Sequence, residues 1–199
     1  MKTYPVVLSI AGSDCSGGAG IQADIKTISA LGAYAASVIT AVTVQNTRGV
    51  KAVHTVPAEI VQGQIEAVME DLRPDALKIG MVSEPALVKI IAGCLLKYPL
   101  CPIVYDPVMV STSGRKLMAK DAIQLIKEEL FPLTSLITPN LDETEVLTGK
   151  KITTAEEMKE AARQLSEEYH TAVLVKGGHL EGNEMQDVLF TDGNAYIYK

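Results

Sequence analysis

Residues 6–42 read VVLSIAGSDCSGGAGIQADIKTISALGAYAASVITAV and contain two nearly continuous apolar runs, Val6–Ala11 and Ala35–Val42. The longer segment Gly20–Leu31, which lies between them, is amphipathic. Continuous apolar runs, as opposed to alternating ones, are typical of strands that helices cover on both faces. A strand, a helix and a second strand in this order predict a βαβ unit with two parallel strands.

The same alternation continues along the rest of the chain. It predicts the α/β class, as a three-layer αβα sandwich with a mainly parallel central sheet in a single domain over residues 1–199. Val50–Val56 predicts an edge strand or flap, and turn signals at Glu181–Glu184 and Asp192–Asn194 predict a hairpin. The further predicted strands are Ala76–Met81, Ile103–Asp106, Leu136–Thr138 and Ala172–Lys176, and the further predicted helices are Ala58–Leu72, Pro85–Lys97, Ala119–Leu130 and Ala155–Glu168.

The composition excludes several classes of protein. A formal net charge of -6 and a pI near 5.1, without any basic run, argue against binding to nucleic acid. No apolar stretch approaches the roughly 20 residues that span a membrane, and no secretory signal opens the chain, so a cytoplasmic enzyme is expected. Three cysteines without CxxC spacing indicate neither a disulfide framework nor a zinc site.

The first candidate for chemistry is the glycine-rich loop Ala11–Gly20, between the first strand and the first helix. Glycines let backbone approach a ligand, and a helix N-terminus offers free N–H donors. A Walker A loop is excluded because no Lys-Ser or Lys-Thr follows the glycines. Gly18–Ala23 fits a loose dinucleotide-binding pattern, but no Asp or Glu occurs between Asp24 and Glu59 to hold a ribose. A connector without a ligand remains an alternative.

Three further polar motifs follow predicted strands: Asp106–Met109, Thr138–Glu143 and Val175–His179. Ligands of open α/β sheets bind outside the carboxyl ends of the strands, so these motifs are expected to converge. Each also has a structural alternative. Aspartate before proline forms turns, Asn140 and Glu143 can form a capping box, and a strand-end lysine can extend into solvent.

Their convergence would create a site for phosphoryl transfer. Asp106 and Glu143 can hold Mg²⁺ directly or through water, and Lys176 offers a positive charge to phosphate oxygens. Phosphoryl transfer requires this kind of electrostatic environment and no covalent protein intermediate. Lys176 and Asp106 are therefore the candidate catalytic residues.

These motifs, in this order, resemble those of hydroxymethylpyrimidine/phosphomethylpyrimidine kinases, which belong to the ribokinase-like superfamily. The resemblance extends from about Pro5 to Asp192. It is carried by Ala11–Asp24 (AGSDCSGGAGIQAD), Thr40–Thr47 (TAVTVQNT), Lys78–Met81 (KIGM) and the three strand-end motifs above.

The resemblance implies phosphorylation of 4-amino-5-hydroxymethyl-2-methylpyrimidine and its monophosphate in thiamine biosynthesis, with ATP and Mg²⁺, by a cytoplasmic homodimer. It also implies that Gln45 binds the polar edge of the ring and that Asp24 lies near the substrate. The pocket residues implied are Gly12, Ala19, Val44, Met81 and Val108, and the nucleotide-binding residues implied are Asn140, Glu143 and Lys176.

The sequence departs from the family where members carry a Gly-Thr-Gly-Cys or Gly-Thr-Gly-Asp loop, which supplies an anion hole and a general base. No such run occurs in the 199 residues, and the chain stops within an apparent strand. We therefore expect a shortened domain without the anion-hole loop and final helices, with sheet surface or an edge uncovered and little turnover by itself. Two alternatives stay open: a pyridoxal kinase, and a non-catalytic remnant that binds a pyrimidine or a nucleotide.

Overall fold

A computed structural model describes residues 4–98, 101–109, 118, 120–178 and 185–199. The described residues form one nine-stranded sheet and six α-helices. The strands are β1 Val6–Asp14, β2 Tyr34–Asn46, β3 Gly49–Thr55, β4 Ala76–Ile79, β5 Ile103–Tyr105, β6 Leu136–Ile137, β7 Ala172–Lys176, β8 Asp187–Thr191 and β9 Asn194–Tyr198. The helices are α1 Gly20–Ala30, α2 Ala58–Asp71, α3 Pro85–Lys97, α4 Lys120–Leu125, α5 Leu141–Thr148 and α6 Ala155–Tyr169.

The strand order is β3-β2-β1-β4-β5-β6-β7-β8-β9. Neighbouring strands from β2 through β7 pair in parallel, whereas β3, β8 and β9 pair antiparallel at the two sides. The predicted α/β class with a mainly parallel sheet is therefore confirmed. Because the neighbouring strands β2, β1, β4, β5, β6 and β7 all run in the same direction, their carboxyl ends lie along one edge of the sheet.

The two faces of the sheet are covered unequally. On β4, Leu77 and Ile79 are buried, whereas Ala76 and Lys78 are only half-buried. The strands β5 and β7 show the same alternation, as expected for side chains that point to opposite faces in turn. In the sheet, β2 lies on one side of β1 and β4 lies on the other side. The connections from β1 to β2 and from β2 to β4 therefore cross the sheet in opposite directions, and right-handed crossovers put α1 on one face and α2 on the other. The half-buried face is the one on which α1 lies, against β1 and β2.

Local sequence signals account for several element boundaries. Thr154 forms a capping box with Glu157 at the start of α6. The predicted helix Ala119–Leu130 differs, because α4 passes at Ile126 into a π-helical turn and then into the 3-10 turn Phe131–Leu133. Pro132 has no N–H group to donate, and this explains why the α-helix does not continue.

Both edges of the sheet were anticipated. The predicted edge strand is β3, and the predicted hairpin is β8–β9, whose turn has positive φ at Asp192 and Gly193. The other turn signal, Glu181–Glu184, and His179 of the last motif lie outside the described residues. In the described part of the chain, no helix is both long enough and apolar enough to cross a bilayer.

Candidate active site

A cavity of about 330 Å³ opens at the carboxyl ends of β1, β2, β4 and β5. We call the part around Gln45 the Gln45 end and the part around Asp106 the Asp106 end. The predicted site residues that line the cavity are Gly12, Ala19, Asp24, Gln45, Met81, Asp106 and Val108. Residues far apart in sequence are thus brought to one concave surface, as the topology of the sheet requires.

The glycine-rich loop after β1 is held by a carboxylate of its own. Asp14 Oδ1 accepts hydrogen bonds from the backbone N–H and the hydroxyl of Ser16, both at 2.8 Å. Its Oδ2 accepts from the N–H groups of Gly18 at 3.0 Å and Ala19 at 2.9 Å. Because these N–H groups are occupied, the loop shapes the cavity wall and does not present them to a phosphate.

Asp14 is an organising residue that no motif singled out. Burial by itself would raise the pKa of its carboxyl, but the hydrogen bonds from Ser16, Ala19 and Gly18 outweigh burial, so the pKa lies below its ordinary value. A local sequence signal for this role was present. An aspartate in a loop can accept a hydrogen bond from the backbone two residues later, which forms an Asx turn, as Asp14 does with Ser16.

The start of α1 is pressed against the end of β1. Gly20 has φ +55°, and a Cβ on it would lie 2.2 Å from the carbonyl oxygen of Gly12. Only glycine allows this approach. The side chain of Gln22 in α1 then closes the contact by accepting from the N–H of Asp14 at 2.8 Å. This contact places the first turns of α1, including Asp24, in the wall of the cavity.

At the Gln45 end, the neighbouring loop holds the backbone of Gln45. The hydroxyl of Thr43 donates its one proton to Ser13 O at 2.8 Å, and Gln45 Oε1 lies 3.3 Å from the same oxygen. The thiol of Cys15 donates to Gln45 O at 3.0 Å, and the Gln45 N–H donates to its sulfur at 3.4 Å. These contacts hold the backbone of Gln45, and its side chain lines the cavity, where it can recognise a polar ring edge.

Val44 is placed differently from the prediction. Side chains alternate along β2, so Thr43 and Gln45 face the cavity, whereas Val42 and Val44 lie on the opposite face, 47% and 56% exposed. The side chain of Val44 does not line the cavity. A contact between Val44 and the ligand would have to come from its backbone.

At the Asp106 end, the predicted acid and lysine meet directly. Lys176 Nζ lies 2.7 Å from Asp106 Oδ1, and the hydroxyl of Thr138 donates to the same oxygen at 3.2 Å. The side chains of Lys176 and Asp106 are 38% and 28% exposed. Asp106 lines the cavity, and Lys176, which does not line it, contacts Asp106 and is partly exposed. The three strand ends after β5, β6 and β7 do converge, as expected from a parallel sheet.

Glu143 lies beside this pair but is engaged in capping. Its Oε2 accepts from the N–H of Asn140 at 2.8 Å, while Asn140 Oδ1 accepts from the N–H of Glu143 at 2.9 Å. The capping alternative for these two residues is thus what the structure shows, and neither lines the cavity. Burial raises the pKa of the Glu143 carboxyl, against the opposing effects of the Asn140 N–H and the Lys176 charge.

The donor set fits Mg²⁺ in its chemistry. Carboxylate oxygens are its preferred protein ligands, and Mg²⁺ commonly keeps several waters and substrate phosphates in its shell. Within the described residues, no three His, Cys, Asp or Glu side chains are grouped to hold a metal ion. Asp106 would be the direct ligand, and Glu143, with one oxygen on Asn140 and the other 3.4 Å from the Met109 N–H, would act through water.

A sheet of this order, with amide, acidic and lysine side chains at its strand ends, defines the class: an α/β kinase with the ribokinase-like fold. The family model for phosphomethylpyrimidine kinase matches residues 14–199. The chain belongs to the phosphomethylpyrimidine kinase family.

Curated relatives extend beyond the aligned region. The hydroxymethylpyrimidine/phosphomethylpyrimidine kinase of Rhizobium meliloti is 53% identical over 195 residues, which cover 96% of this chain and 72% of that protein. The thiamine biosynthesis bifunctional protein ThiED of Geobacter sulfurreducens is 48% identical over 190 residues, which cover 96% of this chain and 39% of that protein. The chain thus spans less than half of the bifunctional relative.

Solved structures show the same architecture. Phosphomethylpyrimidine kinase from Clostridium difficile 630 has a TM-score of 0.90 and 48% identity, covering 98% of this chain and 84% of that one. Pyridoxal kinase of Bacillus subtilis, in an ADP complex, also has a TM-score of 0.90 but only 30% identity, covering 98% and 75%. The backbone alone therefore does not distinguish the two kinds of kinase. The higher sequence identity favours phosphomethylpyrimidine kinase.

Proposed function

We propose that the protein transfers a phosphoryl group from ATP to the hydroxymethyl group of 4-amino-5-hydroxymethyl-2-methylpyrimidine, and then to the monophosphate, in thiamine biosynthesis. The observation that carries the proposal is a single cavity that the Gln45 amide lines at one end and Asp106, the ion-pair partner of Lys176, lines at the other. Membership of the family, with relatives that bear this activity in their names, supports the choice of substrate.

The Gln45 end would recognise the ring. A glutamine amide can donate a hydrogen bond, so it suits a ring nitrogen of an aminopyrimidine. Met81 and Val108 supply apolar walls for the ring faces. The hydroxymethyl arm would then point to the Asp106 end, where the phosphoryl group arrives.

The Asp106 end would manage the phosphate. Lys176 pairs with Asp106 at 2.7 Å, so an incoming triphosphate would compete with Asp106 for the ammonium group. Mg²⁺, when bound, supplies positive charge to the phosphate oxygens, with Asp106 and Glu143 holding it. The charge of Lys176 would then be free to stabilise the group in transfer.

The test compares binding and turnover for two substrates. Calorimetry should show binding of the aminopyrimidine and weaker binding of pyridoxal, and an assay with Mg-ATP should show the same order of rates. Because residues 1–199 contain no Gly-Thr-Gly-Cys run, slow turnover by this chain stays a prediction, and binding is the primary measurement. Pyridoxal bound in preference would favour the pyridoxal kinase alternative, and pyrimidine bound without any turnover would favour the remnant. No binding of either would contradict the proposal.

We also propose a cytoplasmic homodimer. The outer face of the β2–β3 ribbon supports a second copy of the chain as partner, because Val42 and Val44 are exposed there beside His54 and Ala52, their neighbours on β3. Sedimentation equilibrium should give twice the monomer mass. A mass of one chain up to high micromolar concentration would contradict the dimer.

A further inference from the structure

The cavity contains a second ion pair, Lys78–Asp24, in which the lysine has no role in the proposed function. Lys78 Nζ lies 3.1 Å from Oδ1 and 2.9 Å from Oδ2 of Asp24. The hydroxyl of Ser9 donates to the same Oδ2 at 2.6 Å. Lys78 and Asp24 both line the cavity, with side chains 25% and 17% exposed. This is therefore a largely desolvated pair within reach of a ligand.

Stability does not explain a lysine at this position. Lys78 lies on β4, a central strand of the parallel part of the sheet, between the buried residues Leu77 and Ile79. Lysine is rarely buried, and a buried ion pair generally adds little stability over apolar side chains of the same size. A strand that only needed to pack would carry an apolar residue here.

Three elements and a glycine build the pair. Ser9 of β1 is in register with Lys78 of β4, so both side chains lie on the face that α1 covers with Asp24. A Cβ on Gly80 would lie 3.0 Å from Lys78 Nζ and 3.0 Å from the Cβ of Ala11. Glycine at position 80 thus leaves the room that the ammonium group occupies, which accounts for two residues of the Lys78–Met81 motif.

The pair fixes a hydrogen-bond acceptor in the cavity wall. An ionised carboxylate only accepts and offers about four lone-pair sites. Lys78 and Ser9 use some of these sites from the protein side, and the Asp24 carboxylate still borders the cavity. Without Lys78, a half-buried carboxylate would turn towards water, and this change would remove the fixed acceptor.

We propose that Lys78 is a positioning residue that holds the Asp24 carboxylate as the acceptor for the exocyclic amine of the pyrimidine, and that it thereby sets the preference for an amino-substituted ring. The inference rests on the proposed function, because that function supplies the amine. It deepens that function by naming the pair that selects the substrate.

The test measures discrimination between two rings by calorimetry on the full chain. The probes are 4-amino-5-hydroxymethyl-2-methylpyrimidine and 5-hydroxymethyl-2-methylpyrimidine, which has hydrogen in place of the amine. We expect the unaltered protein to bind the amine-bearing ring roughly 10- to 100-fold more tightly, because hydrogen bonds to charged groups have this strength. In Lys78→Met the ratio should fall to about threefold or less, and Lys78→Arg should restore most of it, since arginine also pairs with a carboxylate.

Two further variants keep the result interpretable. Ser9→Ala removes only one hydrogen bond to Asp24, so it should fold and lower the ratio by an intermediate factor. Lys89→Met changes an exposed lysine on α3 and should leave the ratio unaltered.

The outcomes separate this inference from the proposed function. A folded Lys78→Met protein that keeps the full ratio would show that the pair is only structural. Equal binding of both rings by the unaltered protein would overturn the role of Asp24 but leave the proposed function standing. Failure to bind either ring would overturn both.

Discussion

The Gln45 end and the Asp106 end of the cavity differ in how their polar groups are satisfied. Around Gln45, Asp14 and Cys15 hold the loop and the backbone of Gln45 through hydrogen bonds inside the protein. Around Asp106, the charges of Asp106 and Lys176 are paired with each other and remain partly exposed. One end is therefore preorganised for a neutral ring, and the other must exchange its internal ion pair for contacts with a nucleotide.

The largest expected effect separates the two ends. In an intact version of the protein that carries the family's Gly-Thr-Gly-Cys loop, Lys176→Met should lower the rate of phosphoryl transfer by roughly 10²–10³-fold, because it removes a charge that acts on the transferring group. Affinity for the aminopyrimidine should stay within about twofold. Lys78→Met is the matched substitution, and it should show the reverse pattern. Steady-state kinetics and calorimetry measure the rate and the aminopyrimidine affinity of both variants. If both variants lost rate and affinity to the same extent, the proposed difference between the two ends would be wrong.

Asp14→Ala tests preorganisation at the Gln45 end. It removes the acceptor for the N–H groups of Ser16, Gly18 and Ala19, and we expect the free energy of unfolding to fall by about 1–3 kcal/mol. Aminopyrimidine affinity should fall by about tenfold or more as the loop loosens. Urea unfolding and calorimetry measure the two effects, with exposed Asp71→Ala as the control. Unchanged affinity in a destabilised Asp14→Ala protein would contradict a role for the loop in binding.

The sequence predicted the frame of this site well and its internal contacts poorly. The βαβ alternation places strand ends on one edge, and this was enough to bring Asp106 and Lys176 together across 70 residues. The pairing of Lys78 with Asp24 joins residues 54 apart, and no local pattern encodes it. Val44 is a different case, because the period of two along β2 already puts its side chain on the face opposite Gln45 and leaves only its backbone for a contact with the ligand.

Capping at Asn140 and Glu143 shows how a motif can serve two purposes. The spacing of three residues predicted a capping box, the family resemblance implied a place near the nucleotide, and the box is formed. Burial and capping geometry depend on how α5 meets the sheet, which sequence spacing does not determine. The role of Glu143 towards Mg²⁺ stays a prediction.

Gln45→Ala should have a smaller and more selective effect. Loss of one amide that contacts a neutral ring costs about 1 kcal/mol, so aminopyrimidine affinity should fall by roughly five- to tenfold. Affinity for an ATP analogue should not change, because the amide lies at the other end of the cavity. Calorimetry with both ligands checks this, with Gln124→Ala on the exposed side of α4 as the control. Equal losses for both ligands would show that the two ends are not independent.

The smallest expected effects concern pH, where the two ends should act in opposite directions. The lowered pKa of Asp14 means that its contribution to stability is present above the ordinary carboxyl pKa and is lost as pH falls through the lowered value. The raised pKa of Glu143 means that the folded protein holds this proton more tightly than the unfolded chain does. Its contribution is therefore present below the ordinary pKa and is lost as pH rises through the raised value.

Urea unfolding between about pH 3 and pH 7 should reveal both signs. Relative to Asp14→Asn, the unaltered protein should lose stability as pH falls below about 4, because the ionised carboxylate that anchors the loop becomes protonated. Relative to Glu143→Gln, it should gain stability as pH falls from 7 towards 4, because the buried carboxyl no longer has to be charged. If stability changed with pH in the same way in all three proteins, neither carboxyl would have a different pKa in the folded and unfolded states. The proposed contrast between Asp14 and Glu143 would then be wrong.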